Sequence, residues 1–310
     1  MNKIVVSGSL AYDFISTYDC PFKDVLLADQ LDKLSVCFVV SKKERHFGGT
    51  GGNIAYNLAL LSAAPLLIAG AGSDFDDYRS RLDDLGVDMS CVDQFSEVLS
   101  ATATIISDSK GNQISEFYPG AMVFPGRKDP SSAIRDAKVM IISPDNKVEM
   151  MRYVQIAKTE GTSYFFDPGQ GLPLFESDEL IEAIDGAEGV FLNEYELELF
   201  RSKTGLSEAE IVEKAHWLIV TMGAEGSRLL SRDEELSIPV VSPVEAVDPT
   251  GCGDAYRAGF LKGYVDGLDI EFCAQMGALM GMFAVEKTGT QNHRFDLKLF
   301  MDRFSAEFGA

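Results

Sequence analysis

The chain has 310 residues, 46% hydrophobic and 24% charged, with 48 Asp and Glu against 27 Lys and Arg. That length serves one large or two modest domains with a substantial core. The composition excludes intrinsic disorder, a collagen, a coiled coil and a disulfide-rich secreted module. A formal net charge of −21 repels nucleic-acid phosphates and anionic lipid. No basic stripe offsets it, so neither nucleic acid nor a membrane surface is expected as a partner. An anionic ligand would need a local site of backbone N–H groups, a helix N-terminus or a metal ion. Five scattered cysteines (Cys20, Cys37, Cys91, Cys252, Cys273) contain no CxxC pair, and His46, His216 and His293 form no HxxxH. That argues against structural zinc and fits reduced thiols in a cytoplasmic protein. The apolar run at residues 4–6 is too short for a signal peptide. Residues 54–72, interrupted by Asn57, Ser62 and Pro65, read as helix, turn and buried strand, not as a membrane span.

In chain order, short β-branched runs alternate with helical patterns. Strands are expected at 3–9, 66–69, 138–143, 163–167, 189–192 and 217–221, with a strand-like segment at 236–241. Helices are expected at 51–61, 76–85, 148–158, 179–184, 194–201 and 208–215. A buried small-residue helix follows at 269–286. This order implies an α/β fold with a mostly parallel sheet covered by helices on both faces. Two stretches, 32–46 and 100–117, alternate apolar and polar residues instead. Within the second, 102–107 and 113–117 read as a β-hairpin around residues 108–112. Such insertions would form a small antiparallel sheet, serving as a cover for a site, as a dimerisation surface, or as both. One core carrying an inserted subdomain is the simplest organisation.

Chemistry concentrates in two glycine loops. In Asp248-Pro249-Thr250-Gly251-Cys252-Gly253-Asp254 the glycines let the chain turn and expose successive N–H groups at a helix start, an anion site. Asp254 beside an anion site makes little sense for simple anion binding. It fits a general base acting on a hydroxyl that attacks a phosphoryl group. The alternative is a helix cap after a turn. In Gly48-Gly49-Thr50-Gly51-Gly52-Asn53 the backbone admits close approach of a ligand, and Asn53 offers a donor and an acceptor to a pair of hydroxyls. The alternative is a tight strand-to-helix turn. Neither loop is a Walker P-loop or a dinucleotide fingerprint. Cys252 is either a small filler or a thiol activated by the helix N-terminus. His46 reads as a surface histidine of the inserted sheet.

Together with Asn193-Glu194-Tyr195-Glu196 and Thr221-Met222-Gly223-Ala224-Glu225-Gly226, the two loops resemble the motifs of the ribokinase-like (PfkB) carbohydrate and nucleoside kinases. The resemblance covers nearly the whole chain. It implies a ribokinase-like domain spanning 1–310, with a small β-lid from insertions at about 12–18, 33–47 and 100–118. It implies ATP with Mg²⁺, and K⁺ or another monovalent cation. Asp254 would be the base, and the N–H groups of Gly251, Cys252, Gly253 and Asp254 the anion hole. Asn193 and Glu196 would position Mg²⁺, their alternative being a helix cap with a surface Glu. Thr221, Gly223 and Gly226, with Asn193, would meet the nucleotide. Asp248 and Thr250, with carbonyls around Gly289, would hold the monovalent cation. Asp13, Asn53 and Gly49, with Ser9 beside them, would bind sugar hydroxyls.

Residues 74–79, 117–122, 254–261 and 286–291 further resemble bacterial adenosine kinases. There an aromatic at the Phe117 position stacks on the purine and a Gln near the Gln170 position contacts the nucleoside. Ala103 stands where a second aromatic is expected, and Phe38 is the residue that would compensate. The implied reaction is phosphorylation of a primary hydroxyl, adenosine 5′-OH first. A ribose or hexose-derivative kinase, a broader nucleoside kinase and a ligand-sensing protein on the same fold are the alternatives. The resemblance also implies a homodimer through the β-lid.

Overall fold

The computed structural model describes residues 4–26, 33 and 35–309. The elements begin β1 (Ile4–Ser7), β2 (Ala11–Thr17), β3 (Lys42–Gly48), α1 (Thr50–Leu60), β4 (Leu66–Ala71), α2 (Asp76–Asp84) and β5 (Asp88–Gln94). They continue with β6 (Ala101–Ser107), β7 (Gln113–Tyr118), α3 (Ser131–Arg135), β8 (Val139–Ile142), α4 (Lys147–Glu160), β9 (Tyr164–Phe166), α5 (Ser177–Ile184) and β10 (Gly189–Asn193). The last are α6 (Glu194–Thr204), α7 (Glu208–Lys214), β11 (Trp217–Thr221), β12 (Ser227–Leu230), β13 (Glu235–Ile238), α8 (Cys252–Asp266), α9 (Ile270–Val285) and α10 (Leu297–Phe308).

Nine strands form one sheet in the order β13-β12-β11-β10-β9-β8-β1-β4-β5. From β5 to β11 every pairing is parallel, and β12 and β13 add antiparallel at one edge. The reason lies in the strand sequences. Successive side chains point to opposite faces, so Ile4, Val6, Val139, Ile141, Phe165, Phe191 and Ile219 enter one core. Their neighbours Val5, Met140, Ile142, Tyr164, Phe166, Val190, Leu192, Leu218 and Val220 enter the other. A strand buried on both faces reads as a continuous apolar run, as these do. Residues of α1, α2, α8 and α9 cover the first face, and those of α4, α5, α6 and α7 the second.

The smaller sheet has the order β3-β2-β6-β7. Both outer pairs are antiparallel, and the hairpin β6–β7 closes on Asp108, whose carboxylate accepts N–H bonds from Lys110 and Asn112. The central pair, β2 with β6, is parallel over seven residues. β2 follows β1 and β6 follows β5, two strands that run the same way in the large sheet.

The expected extended stretch at 32–46 is shorter in the structure. Asp32 and Leu34 lie outside the described residues, residues 35–40 form no strand, and β3 begins at Lys42. Phe38 anchors this loop instead, its ring 5.2 Å from that of Tyr18 and 5.1 Å from that of Phe22. β5, α3, β12 and α10 lie where no element is expected. Among the described residues no helix is long and apolar enough to cross a membrane, and residues 54–72 form the end of α1, a turn and β4.

The small-residue pattern of α9 lets two helices touch backbone to backbone. A Cβ at Gly259 of α8 would stand 2.5 Å from the carbonyl oxygen of Met276. Gly259→Ala therefore has to separate the helices, at a cost of about 1–3 kcal/mol. A lowered urea midpoint is expected, and an unchanged midpoint contradicts this packing.

Candidate active site

The parallel strands β1, β8, β9, β10 and β11 all end on one edge of the large sheet. The chain leaves β1 towards β4 and β5 on one side and builds β8 to β11 on the other. A crevice at the carboxyl ends of such strands, where the order reverses, is the natural ligand site of an open α/β sheet. Both glycine loops meet there.

The first loop joins β3 to α1. Gly49 caps α1 at φ 85°, and a Cβ there would lie 2.5 Å from the carbonyl oxygen of Ser9. The Ser9 hydroxyl accepts the N–H of Thr50 at 3.1 Å. Ser9 is buried, so its side chain fastens the loop. Asn53 follows in the first turn of α1.

The second loop opens α8. Gly251 caps the helix at φ 80°, ψ 0°, a conformation that suits glycine. Of the four N–H groups expected to form an anion hole, that of Cys252 bonds to the Pro249 carbonyl at 3.2 Å. Those of Gly251, Gly253 and Asp254 have no acceptor among the described residues. They remain available at the positive end of a fifteen-residue helix.

The Asp254 carboxylate lies beside them and accepts the Asn53 Nδ2–H at 2.8 Å. Burial pushes its pKa up to about 7, against the pull of the Asn53 bond and Arg257, while Asp167 and Asp13 add to the rise. Cys252 is not an activated thiol. Burial, with the charges of Asp248 and Asp254, pushes it up to about 12, outweighing any help from the helix terminus.

Asp13 of β2 faces the same crevice. A Cβ on Gly48 would collide with its carboxylate, which explains a glycine there. Burial raises its pKa to about 6; His46 opposes that rise and Asp248 adds to it. Register places His46, Asp13, Ala103 and Phe117 in one row across the small sheet. Residues directly opposite one another share a face, so Phe117 lies on Asp13's side. Phe117 is 57% exposed, so it is not part of the core. Ala103 stands between the two, leaving an open trough.

His46 is not a surface residue: its side chain is 12% exposed, and Nδ1 lies 3.1 Å from Asn292 Nδ2. Gln170 is exposed on the turn after β9. Phe38 packs into the aromatic cluster with Tyr18 and Phe22, beyond the end of β2.

Asn193 and Thr221 are register partners at the ends of β10 and β11. Asn193 and Glu196 make the capping box considered above as their alternative, with Asn193 Oδ1 and Glu196 Oε2 each accepting the other's N–H at 2.8 Å. Glu196 Oε1 lies outside that box, and burial followed by the charge of Asp167 raises its pKa. Gly223 and Gly226 form a turn at φ 54° and 92°. Burial works against ionisation of Asp248, but the Gly289 N–H at 2.9 Å, the Thr250 hydroxyl and the Thr250 N–H at 2.9 Å outweigh it and keep the carboxyl below its usual range. Thr250 thus meets Asp248 through its hydroxyl as well as its backbone. Among the described residues no group of three His, Cys, Asp or Glu is placed to hold a metal by itself. Mg²⁺ keeps waters and takes phosphate oxygens, needing one or two carboxylates from the protein. Glu196 could be one.

Two features here had no role in the sequence reading. Arg257, one turn into α8, is buried against Asp167 at the end of β9, with Nη2 2.7 Å from Oδ1 and Nε 2.5 Å from Oδ2. Its Nη1 also donates to the Gly253 carbonyl at 3.0 Å. Gln291 donates Nε2–H to Asn53 Oδ1 at 3.0 Å. Arg257 stands inside the second glycine motif, so a charge buried within an otherwise apolar helix face was its available signal. Asp167→Leu leaves the Arg257 charge buried without its counter-charge, and a loss of about 3–5 kcal/mol in unfolding free energy is expected. An unchanged denaturation midpoint contradicts the pairing.

Comparison with known proteins agrees with this geometry. The sequence pattern of the pfkB family carbohydrate kinases matches residues 1–296. A nucleoside kinase of Methanothermobacter thermautotrophicus is 30% identical over 301 residues, 96% of this chain and 97% of that protein. The Burkholderia thailandensis nucleoside kinase solved in complex with inosine superposes with a TM-score of 0.89 at 35% identity, covering 99% of this chain and 98% of the other. The Methanocaldococcus jannaschii nucleoside kinase, described as an archaeal member of the ribokinase family, superposes at 0.87 with 27% identity, covering 99% of each chain. A phosphoryl-accepting hydroxyl is what a carboxylate beside an anion cradle can serve, and this chain belongs to the pfkB family of carbohydrate kinases, a phosphotransferase acting on a nucleoside or sugar hydroxyl.

Proposed function

We propose that the protein is an ATP-dependent nucleoside kinase that phosphorylates the 5′-OH of a purine nucleoside, adenosine being the first acceptor to try. The observation that carries this reading is the row Asp13–Ala103–Phe117. Strands lie about 4.8 Å apart, so carboxylate and ring are separated by two spacings, on the order of 10 Å, with only Ala103 between. A nucleoside has vicinal hydroxyls at one end and a flat base at the other. Asp13 accepts the hydroxyls and Phe117 meets the base. A free sugar would leave Phe117 exposed. The Burkholderia thailandensis enzyme is also known in a complex with ADP and inosine.

In this reading the chain is one domain, and the small sheet covers the acceptor and keeps water from the phosphoryl group. Asp254 takes the proton of the attacking hydroxyl. A bond forms from that oxygen to the γ-phosphorus of ATP, the bond from that phosphorus to the bridging oxygen breaks, and ADP leaves. The free N–H groups of Gly251, Gly253 and Asp254 stabilise the charge on the transferring group. Thr221, Gly223 and Gly226 lie against the nucleotide. Mg²⁺, held through Glu196 and water, supplies neutralisation of phosphate charge when bound. Asp248, ionised at neutral pH, suits the charge of a monovalent cation. The exposed strand β7 is the edge through which a second copy would extend the small sheet.

ADP release from Mg-ATP with K⁺ is measured with adenosine, inosine, other nucleosides, ribose and fructose phosphates as separate acceptors. Turnover on a purine nucleoside supports the reading, and turnover on a sugar alone overturns it. Asp254→Asn is expected to keep the fold and lower kcat by about 10²–10⁴; undiminished turnover removes the base. Because the base works ionised, kcat/KM of the wild type falls on the acid side with an apparent pKa of about 7. Phe117→Ala raises KM for the nucleoside far more than KM for ATP, and equal increases make Phe117 structural.

A further inference from the structure

Asp254 is held by a side chain whose own orientation is set elsewhere. The Asn53 amide has two ends, and only its NH₂ end can donate to a carboxylate. What decides which end faces Asp254 is a chain of buried and half-buried bonds beginning at Arg81 of α2. A guanidinium only donates. Arg81 Nε lies 3.3 Å from Gln291 Oε1, and its Nη2 donates to the Gln291 carbonyl. The guanidinium is fixed between the rings of Phe47 at 4.9 Å and Tyr56 at 5.0 Å. Gln291 therefore turns its oxygen to Arg81 and its NH₂ the other way. That NH₂ donates to Asn53 Oδ1 at 3.0 Å and to the Tyr78 hydroxyl at 2.5 Å. Tyr78 passes its own hydrogen to the Gly48 carbonyl at 2.8 Å. With Asn53 Oδ1 taken, its Nδ2 is left for Asp254.

A second branch holds the backbone of the same residue. Asn57 Nδ2 donates to the Asn53 carbonyl at 2.8 Å, so Asn57 Oδ1 accepts from His293 Nε2 at 2.6 Å. Gln291, Asn53, Asn57, Tyr78 and His293 are all buried. A buried network with each polarity assigned has one low-energy arrangement.

We propose that Gln291 is a positioning residue for the reaction, acting on Asp254 only through the Asn53 amide. This rests on the reading of Asp254 as the base. The chain just before Gln291 is pinned twice, Gly289 N–H to Asp248 and the Thr290 hydroxyl to the Phe47 carbonyl at 2.7 Å. Residues 289–291 thereby join the loop before α8, the edge strand β3 of the small sheet and, through Asn53, the base itself.

The test is a double-mutant cycle between Gln291→Met and Asn53→Ala, read as kcat and both KM values on the best acceptor of the panel. Gln291→Met keeps the volume and removes the donor. Expected is a fall of about tenfold in kcat with KM for ATP within about twofold. In the Asn53→Ala background the same substitution changes kcat by less than about twofold, since its route to Asp254 is gone. Losses that multiply independently overturn the proposal, as does full activity of Gln291→Met. If Gln291→Met fails to fold, Gln291→Glu, which keeps the acceptor for Arg81 and lacks the donor, completes the same cycle. Asp254→Asn in parallel separates the two claims. If it stays active the base reading fails, and if it is inactive while Gln291→Met is not, only the positioning role fails.

Discussion

The hydrogen bond from Asn53 to Asp254, 2.8 Å long and spanning 201 residues of sequence, joins the two glycine loops into one site. Each loop alone is a turn before a helix. Joined, they set a carboxylate beside unpartnered N–H groups at the start of α8. The environment is contradictory by design of the fold: burial and neighbouring carboxylates resist ionisation of Asp254, while Asn53 and Arg257 favour it. The balance leaves a group that exchanges a proton near neutral pH. A carboxylate fully exposed would be too weak a base, and one without Asn53 would keep its proton to higher pH.

The large sheet makes that meeting possible. Its parallel strands carry apolar side chains on both faces, so their ends are fixed by two cores at once. β9 brings Asp167 under α8, where it neutralises Arg257, and Arg257 in turn grips the Gly253 carbonyl. The anion cradle is therefore fastened to the sheet by a buried ion pair as well as by packing. The small sheet adds the acceptor end. Its parallel central pair aligns Asp13 with Ala103, and the hairpin carries that alignment to Phe117.

Local signals made much of this legible. Alternating apolar runs gave away the parallel strands, and Gly251 and Gly49 marked turns whose positive φ the structure shows. The hairpin was visible from its alternation and its polar turn. Asp254 stood out because a carboxylate beside an anion site needs a reason. The remainder depends on distance in space. Gln291 sits 238 residues from Asn53, and nothing in its neighbours says which amide it will orient. His46 looked like a sheet-surface residue until the segment after Val285 folded over it. Phe38 sat in an alternating stretch, yet two aromatic rings captured it into a loop. Cys252 illustrates competing effects: the helix terminus favours a thiolate, but burial and two flanking carboxylates win.

Asp254 is a half-buried carboxylate poised at the edge of ionisation and held there by Asn53. A carbon-13 NMR titration of the Asp254 carboxyl, in the protein without acceptor, tests it most directly. A midpoint of about 7 is expected, moving higher in Asn53→Ala because the N–H that stabilises the ionised form is lost. A midpoint in the ordinary range for aspartate, unmoved by Asn53→Ala, would contradict it.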